Sequence, residues 1–239
     1  MRTIRCLSGA AAITAIAAAA VLGAASCSPS VDPAARADID RRVAALGTPG
    51  QNYGAPTGFA PMPFQTGQWT THKLVDQDGR PSFMTYKIVG EDGGAFWLET
   101  VTETYGGRSV TKLLVAIPNR MDLGSVDIRA AAFKDHKGNV TRFDGPTLAI
   151  VRNTYRSIVS TLVVSWQGLP QENVAVAAGE FAGCFKTRTD ATWGPWHAAS
   201  TAWSHAAVPL SGLVKSQRID RPSTMELVAF GLAGAQPEL

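Results

Sequence analysis

Ser109 and Lys112 have the spacing of a catalytic motif, the Ser-x-x-Lys of penicillin-recognising enzymes. In that chemistry the serine is a nucleophile at the N-terminus of a helix, and the lysine lies beside it one turn later. Here the neighbouring residues are rich in Val, Thr and Leu and predict a strand, in which positions three apart point to opposite faces. We therefore interpret the spacing as a chance match.

Other residue types that could support catalysis or metal binding are scattered along the chain. The sequence contains no Gly-x-Ser-x-Gly, Gly-x-x-x-x-Gly-Lys, His-Glu-x-x-His or Cys-x-x-Cys motif. His197 and His205 flank a predicted strand and could meet, with Asp190 as a third ligand, but no zinc-type spacing supports this set. We interpret them, with His72 and His136, as surface or packing residues. We predict no catalytic residue, no metal and no non-covalent cofactor, which makes an enzyme the least favoured class.

Cys184 lies inside a predicted strand, and the sequence places no base beside it. A buried, unreactive thiol is the expected state of such a cysteine. Because Cys6 lies in the N-terminal apolar segment, no intrachain disulfide is expected if Cys27 is acylated.

Cys27 follows a segment with the features of an export signal. Arg2 and Arg5 give a positive start, residues 7–22 are almost wholly apolar, and residues 23–26 are small. This pattern predicts a signal peptide over residues 1–26. A retained anchor helix is less favoured, because the interrupted apolar run is shorter than the roughly 20 residues that span a bilayer.

The four residues Ala24-Ala25-Ser26-Cys27 resemble a bacterial lipobox, although Ala24 stands where Leu or Val is usual. The resemblance implies a diacylglycerol on the sulfur of Cys27 and an acyl group on its new N-terminus. Ordinary signal-peptidase cleavage after Ser26 is the alternative. Ser28 resembles the outer-membrane sorting pattern of lipoproteins, so the expected location is the bacterial cell envelope, lipid-anchored at the outer membrane and facing the periplasm.

The part of the chain that follows the predicted signal is nearly neutral. The sequence has 22 Lys and Arg against 19 Asp and Glu, and Arg2 and Arg5 leave with the signal. No basic surface is predicted, so nucleic acid is not an expected partner. A composition of 45% hydrophobic and 17% charged residues is typical of a globular domain with room for an apolar cavity.

Residues 27–67 predict a lipidated tether, a short helix and a linker. Asp32 can cap a helix that starts at Pro33, and apolar residues continue with helical spacing to Leu46. A poorly ordered alanine-rich arm is the alternative. Residues 48–67 contain four prolines and several glycines, which disfavour helix and most strand pairing and indicate a linker or a wrapped segment.

Residues 68–239 predict one antiparallel β domain. Runs rich in Thr, Val, Tyr, Phe and Trp, separated by glycine turns, predict a four-stranded meander and five later strands. The meander covers 68–76, 82–89, 95–105 and 108–117, and the later strands cover 173–177, 180–189, 199–205, 212–219 and 224–231. Residues 125–134 fit either a strand or a helical turn, and the end after Gly231 is expected to fray.

Residues 145–166 are a second ambiguous segment. Apolar residues from Leu148 to Trp166 step by three or four along one helical stripe, whereas Ile158 and Val159 favour a strand. We favour a helix lying across the apolar face of the sheet.

Residues 192–196 predict a loop that carries Trp193 and Trp196. Together with Trp203, these indoles could form an aromatic rim for a ligand or lie against lipid headgroups. Packing within the loop or core is the alternative.

Four stretches in the second half of the chain form a series: 176–181, 202–204, 208–216 and 225–231. The series is similar to one in poorly characterised envelope lipoproteins whose fold resembles the LolA/LolB lipoprotein carriers. This resemblance covers roughly residues 64–231. It implies a mainly β (α+β) fold, in which a curved antiparallel sheet or half-open barrel wraps one or two helices and its concave apolar side holds acyl chains. Glu180 and Leu210 depart from the series, and no binding residue transfers by motif.

The expected function is non-enzymatic binding of a lipid, an acyl chain or a lipoprotein in the concave face of the sheet. Seven residues on predicted strands are the candidate lining: Met84, Tyr86, Ile88, Trp97, Leu113, Val115 and Trp203. The same residues make an equally good closed core, and a helix that fills the concavity would leave no pocket. The alternative is a tethered scaffold or accessory subunit of an envelope complex, which binds another protein through edge strands or the loop at Trp193.

Overall fold

The computed structural model describes residues 31–58, 61–117, 126–159, 166–193 and 196–239. The predicted signal peptide and Cys27 lie outside these ranges. Within them the chain is mainly β, with two helices and one large sheet. Neither helix in these ranges has the length and hydrophobicity needed to cross a bilayer.

The elements agree closely with the predicted strand positions. The helices are α1 (Pro33–Ala44) and α2 (Gly145–Val159), and the strands are β1 (Asn52–Tyr53), β2 (Trp69–Val75), β3 (Pro81–Asp92), β4 (Ala95–Thr104), β5 (Gly107–Ala116), β6 (Asp127–Lys134), β7 (Val140–Phe143), β8 (Gln171–Val176), β9 (Gly179–Trp193), β10 (Trp196–Ser204), β11 (Leu213–Arg218) and β12 (Thr224–Gly231). The segment at 125–134 is therefore a strand. Two short strands, β1 and β7, were not predicted.

The strands form one open sheet in the order β8-β9-β10-β11-β12-β2-β3-β4-β5-β6-β7. All of these neighbours are antiparallel, and the pairing of β12 with β2 joins the C-terminal strands to the N-terminal meander. β1 pairs in parallel with β9 on the side away from β8, because Glu180 pairs with both Asn52 and Ala175. No pairing among the described residues joins β7 to β8, so the sheet does not close.

Helix α1 begins where its cap was predicted. The Asp32 carboxylate accepts hydrogen bonds from the backbone N–H groups of Ala34 at 2.8 Å and Ala35 at 3.3 Å, and Pro33 occupies the first turn. The helix ends at Ala44, two residues before the predicted end. Ile39 is its buried residue, and α1 packs on β3, β4 and β5.

The two helices lie on opposite faces of the sheet. Val151 of α2 packs against Leu113 and Val115, whereas Arg42 of α1 binds Glu103 at 2.9 Å and lies over the ring of Phe83. Leu113 pairs through β4 with Ile88, whose side chain points away from that of Phe83. We call these surfaces the α2 face and the α1 face. A curved sheet encloses one side only, so at most one of the two helices can be wrapped.

Helix α2 is shorter than the predicted helix over 145–166. It ends at Val159, after which residues 160–165 lie outside the described ranges, and Trp166 is not helical. Trp166 instead stacks on Phe185 of β9 with ring centroids 5.3 Å apart, and it is fully buried there.

Two further predictions were wrong. The aromatic loop at 192–196 is a hairpin, because β9 continues to Trp193 and β10 begins at Trp196. The segment after Gly231 is not frayed: the Ala235 N–H donates to the Gly67 carbonyl at 2.9 Å, and the Trp69 indole donates to the Ala233 carbonyl at 3.2 Å. Long-range contacts of this kind leave no local sequence pattern.

Candidate functional site

The sheet divides the seven predicted lining residues between its two faces. Ile88 pairs with Leu98, which pairs with Leu113, so the side chains of this row share the α2 face. By alternation along β3 and β5, Met84, Tyr86 and Val115 lie on the same face.

The remaining two residues, Trp97 and Trp203, lie on the α1 face. Trp97 is adjacent to Leu98 on β4 and therefore points the other way. Trp203 belongs to a paired row that runs through Lys215, Glu226 and Lys73 to Phe83, which is on the α1 face. The structure therefore places five of the predicted residues on one face of the sheet and the two tryptophans on the other.

Two apolar clusters of the α2 face contain the predicted lining residues of β3 and β5. The first contains Leu113 and Val115 with Val126, Ile128, Ala131 and Val151, and helix α2 covers it. The second contains Met84, Ala202, Leu213 and Met225, with Leu74 and Tyr86 packed against it. None of the described α2 side chains, residues 145–152, belongs to the second cluster, whose four members are nonetheless buried. Two methionines in this cluster provide unbranched, adaptable side chains.

Polar groups border the second cluster. Tyr86 donates its hydroxyl to the sulfur of Met84 at 2.7 Å, and burial raises the pKa of this phenol. The His72 ring lies edge-on to Tyr86 with centroids 6.0 Å apart and is 1% exposed. Its Nε2 lies 3.0 Å from the Leu213 carbonyl and therefore carries the donated proton, while Nδ1 has no partner among the described residues. Desolvation lowers the pKa of His72 to about 4.

Cys184 is fully buried, as predicted, and its sulfur lies 3.6 Å from the Phe181 carbonyl. Burial raises the pKa of the Cys184 thiol to about 12, so the thiolate needed for nucleophilic chemistry is disfavoured.

His205 uses both ring nitrogens in hydrogen bonds. Nδ1 accepts from the Ala207 N–H at 3.1 Å, so Nε2 donates to the Gly54 carbonyl at 3.0 Å. Desolvation lowers the pKa of this histidine. The side chains of Asp190 and His197 lie outside the described part, and no group of three metal-ligating residues occurs within that part.

A surface pocket of about 460 Å³ lies beside His205. It is lined by Gly54, Ala55, Pro56, Thr57, Gly58, His205, Ala206 and Ala207. None of the predicted lining residues belongs to it. Because both nitrogens of His205 are already bonded, this ring fastens the segment at Gly54 to the sheet.

Ser109 and Lys112 both lie on strand β5, which confirms the prediction that they do not form a helical catalytic pair. Lys112 instead belongs to a charged row on the α1 face, where Glu99 pairs with Lys87 on one side and Lys112 on the other. The Glu99 side chain is fully buried, and its two oxygens accept the backbone N–H groups of Glu238 at 2.9 Å and Leu239 at 3.1 Å. Sequence reasoning missed this site, in which Lys87, Glu99 and Lys112 form one row of charged side chains across three strands.

Comparison with known proteins does not place the chain in a family. No family model matches it, and no curated protein is similar to it. Among solved structures, it is similar to a Bacteroides fragilis protein described as exported and as having a YmcC-like fold. The two share 15% identity over 72% of this chain and 98% of the other, with a TM-score of 0.33. A similarity of this size assigns neither fold nor function.

Proposed function

We propose that this chain is a non-enzymatic lipoprotein of the bacterial cell envelope, which binds an apolar ligand or acyl chain on the α2 face of its open sheet. In this proposal Cys27 carries the lipid anchor, and the domain faces the periplasm from the outer membrane. The architecture would be that of the LolA/LolB carriers. The observation that carries the ligand-binding proposal is the second apolar cluster, a buried, methionine-containing group on the α2 face that includes none of the described α2 side chains, residues 145–152.

The chemistry of this cluster suits an alkyl chain. Met84, Met225 and Leu213 offer apolar contact without a fixed shape, and Tyr86 and His72 add polar groups at the border. Each methylene moved from water to such a surface contributes about 0.8 kcal/mol. Ten methylenes would contribute about 8 kcal/mol before ordering costs, which sets micromolar affinity as the upper limit.

Ligand binding is tested with the mature protein and a fluorescent fatty acid. Met84→Gln should weaken binding at least tenfold, because it places an amide within the cluster. Trp203→Leu is the matched control on the α1 face and should leave the affinity unchanged. Lipid that copurifies with the protein and is detected by native mass spectrometry would support the proposal. A protein that carries no copurified lipid and does not bind the fluorescent fatty acid would refute the proposal.

The anchor is tested separately by labelling cells with radioactive palmitate. The wild-type protein should incorporate the label, and Cys27→Ser should not. Equal labelling of the two proteins, or none in either, would remove the anchor from the proposal while leaving the ligand test unaffected.

The open edges of the sheet favour a second candidate, a tethered scaffold that adds a strand from another protein. Strand β7 is an edge of four residues, with Val140 47% exposed, and the first three residues of edge strand β8 are exposed. Unpaired backbone groups at such edges can accept a partner strand. In-cell crosslinking from an amino acid placed at residue 140 should capture one defined protein if this candidate is right.

A further inference from the structure

The segment 235–239 lies on the α1 face and is held there by charged side chains of β3, β4, β5 and β6. Lys87 donates to the Gln236 carbonyl at 3.0 Å, Lys112 donates to the main-chain oxygen of Leu239, and Lys134 lies 3.5 Å from the Glu238 carbonyl. Together with the two N–H groups that donate to Glu99, these contacts satisfy both donors and acceptors of the segment's backbone. We call this arrangement the Glu99 site.

One side chain of the segment is also recognised. The Glu238 carboxylate lies 2.5 Å from the ammonium of Lys87 and 2.5 Å from a guanidinium nitrogen of Arg108. The four basic residues that contact the segment are Lys87, Arg108, Lys112 and Lys134, and Glu99 is the acidic residue among them. The site is thus net positive toward its occupant and selects a carboxylate at this position.

Rigid neighbours hold the Glu99 site in place. Lys112 lies 3.4 Å from Glu99 and 5.3 Å from the centre of the Trp97 ring. Trp97, which was predicted to line the lipid site, therefore supports the Glu99 site instead. Lys87 lies 3.7 Å from Glu99 and is 7% exposed. Glu99 is 1% exposed, and a carboxylate so deeply buried must have its lone pairs bonded.

Apolar contacts contribute little to the binding of residues 235–239. Gln236 and Pro237 are exposed, and Ala235, Glu238 and Leu239 are only partly buried. The segment is therefore held through its backbone and one carboxylate, which are features that many peptides share. Ionic contacts of this kind weaken with salt.

We propose that the Glu99 site is a binding site for an extended acidic peptide of a partner protein, and that residues 235–239 act as a built-in competitor for it. The site lies on the face opposite to the proposed lipid site, so the proposal does not rest on lipid binding. Tethering gives the built-in segment an effective concentration in the millimolar range, so a free peptide displaces it only at millimolar concentration unless this segment is weakened.

The test uses the full-length mature chain and a fluorescein-labelled peptide, Ala-Gln-Pro-Glu-Leu, with a C-terminal amide. Glu238→Arg reverses the charge that holds the built-in segment and should tighten peptide binding at least tenfold relative to wild type. Asp78→Arg makes the same charge change at an exposed turn and should bind like wild type. Adding Glu99→Gln to Glu238→Arg should remove most of the gain, and the peptide Ala-Gln-Pro-Gln-Leu should bind at least tenfold more weakly.

Melting curves establish that each variant is folded before binding is compared. A folded Glu238→Arg protein that binds the peptide no better than Asp78→Arg would overturn the proposal. If Glu238→Arg does not fold, hydrogen exchange of the wild-type chain decides instead. Millimolar acidic peptide should raise deuterium uptake in residues 235–239 above the level seen with the Gln peptide, and unchanged uptake would equally overturn the proposal.

Discussion

At the scale of single residues, His72 is a titratable side chain in a fully buried position. It lies between Tyr86 and the Leu213 carbonyl, and its Nδ1 has no partner among the described residues. Protonation would place a positive charge inside an apolar cluster without a carboxylate hydrogen-bonded to it in the described part. The folded protein therefore prefers the neutral ring, which is the cause of the lowered pKa.

This preference predicts a loss of stability in mild acid. The folded-state pKa of His72 is about 4, below its value of about 6.5 in the unfolded chain. Its stabilising effect is therefore complete above pH 6.5 and is lost as pH falls toward 4, by about 3 kcal/mol in total. Urea denaturation at a series of pH values measures this change.

The control for this experiment is His72→Gln, whose side chain does not titrate. Its free energy of unfolding should depend less on pH between 6.5 and 4, with the remaining slope due in part to His205, whose pKa is also lowered by burial. An equal slope in the variant and the wild type would contradict the assignment to His72.

At the scale of elements, helix α1 depends on its cap, because few of its residues are buried. Asp32 satisfies two of the N–H groups that every helix leaves unpaired at its start. Asp32→Ala should lower the free energy of unfolding by about 1 kcal/mol. Asp32→Asn keeps an oxygen acceptor and should lose much less, as measured by urea denaturation.

The turn before β11 shows how a glycine permits close packing. Gly212 has φ of 72°, and a Cβ there would lie 2.6 Å from the Trp166 ring. Gly79 has φ of 76° and open space around the same position. Gly212 is therefore required both by its left-handed backbone and by the close approach of Trp166, whereas Gly79 is required by its left-handed backbone alone.

These two glycines form a matched pair of substitutions. Gly79→Ala should cost about 1 kcal/mol, the strain of a left-handed alanine. Gly212→Ala adds the overlap with Trp166 and should cost at least about 2 kcal/mol more. Thermal melting of both variants measures the difference, and equal losses would show that Trp166 moves aside freely.

At the scale of the whole molecule, one continuous sheet joins the two halves of the chain. The pairing of β12 with β2 connects strands about 150 residues apart in sequence. Leu227 lies on this junction, pairs with His72 and is fully buried. We therefore expect the domain to unfold as one cooperative unit.

Leu227→Ala tests this expectation. It should cost about 2 to 5 kcal/mol, the usual range for a buried leucine. Circular dichroism and tryptophan fluorescence should report the same lowered midpoint, whereas two independent halves would give separate transitions. Leu232→Ala is the control, because Leu232 is 51% exposed and its loss should change stability by less than about 0.5 kcal/mol.

The sequence by itself determined most of the strand positions, the cap at Asp32 and the burial of Cys184. These depend on short-range features: β-rich runs broken by glycine turns, an N-cap beside a proline, and an isolated thiol in an apolar run. It also supports the expectation of export, through a segment that the structure does not describe.

Tertiary structure alone decided which residues meet. Alternation along a strand fixes two faces but not which of them lies toward α2, so Trp97 and Trp203 could not be separated from Met84 beforehand. The Glu99 site joins residues about 140 positions apart, and the pairing of Asn52 with Glu180 spans a similar distance. Such contacts depend on which side chains are buried and which charges are paired in the folded protein, and no local pattern in the chain encodes them.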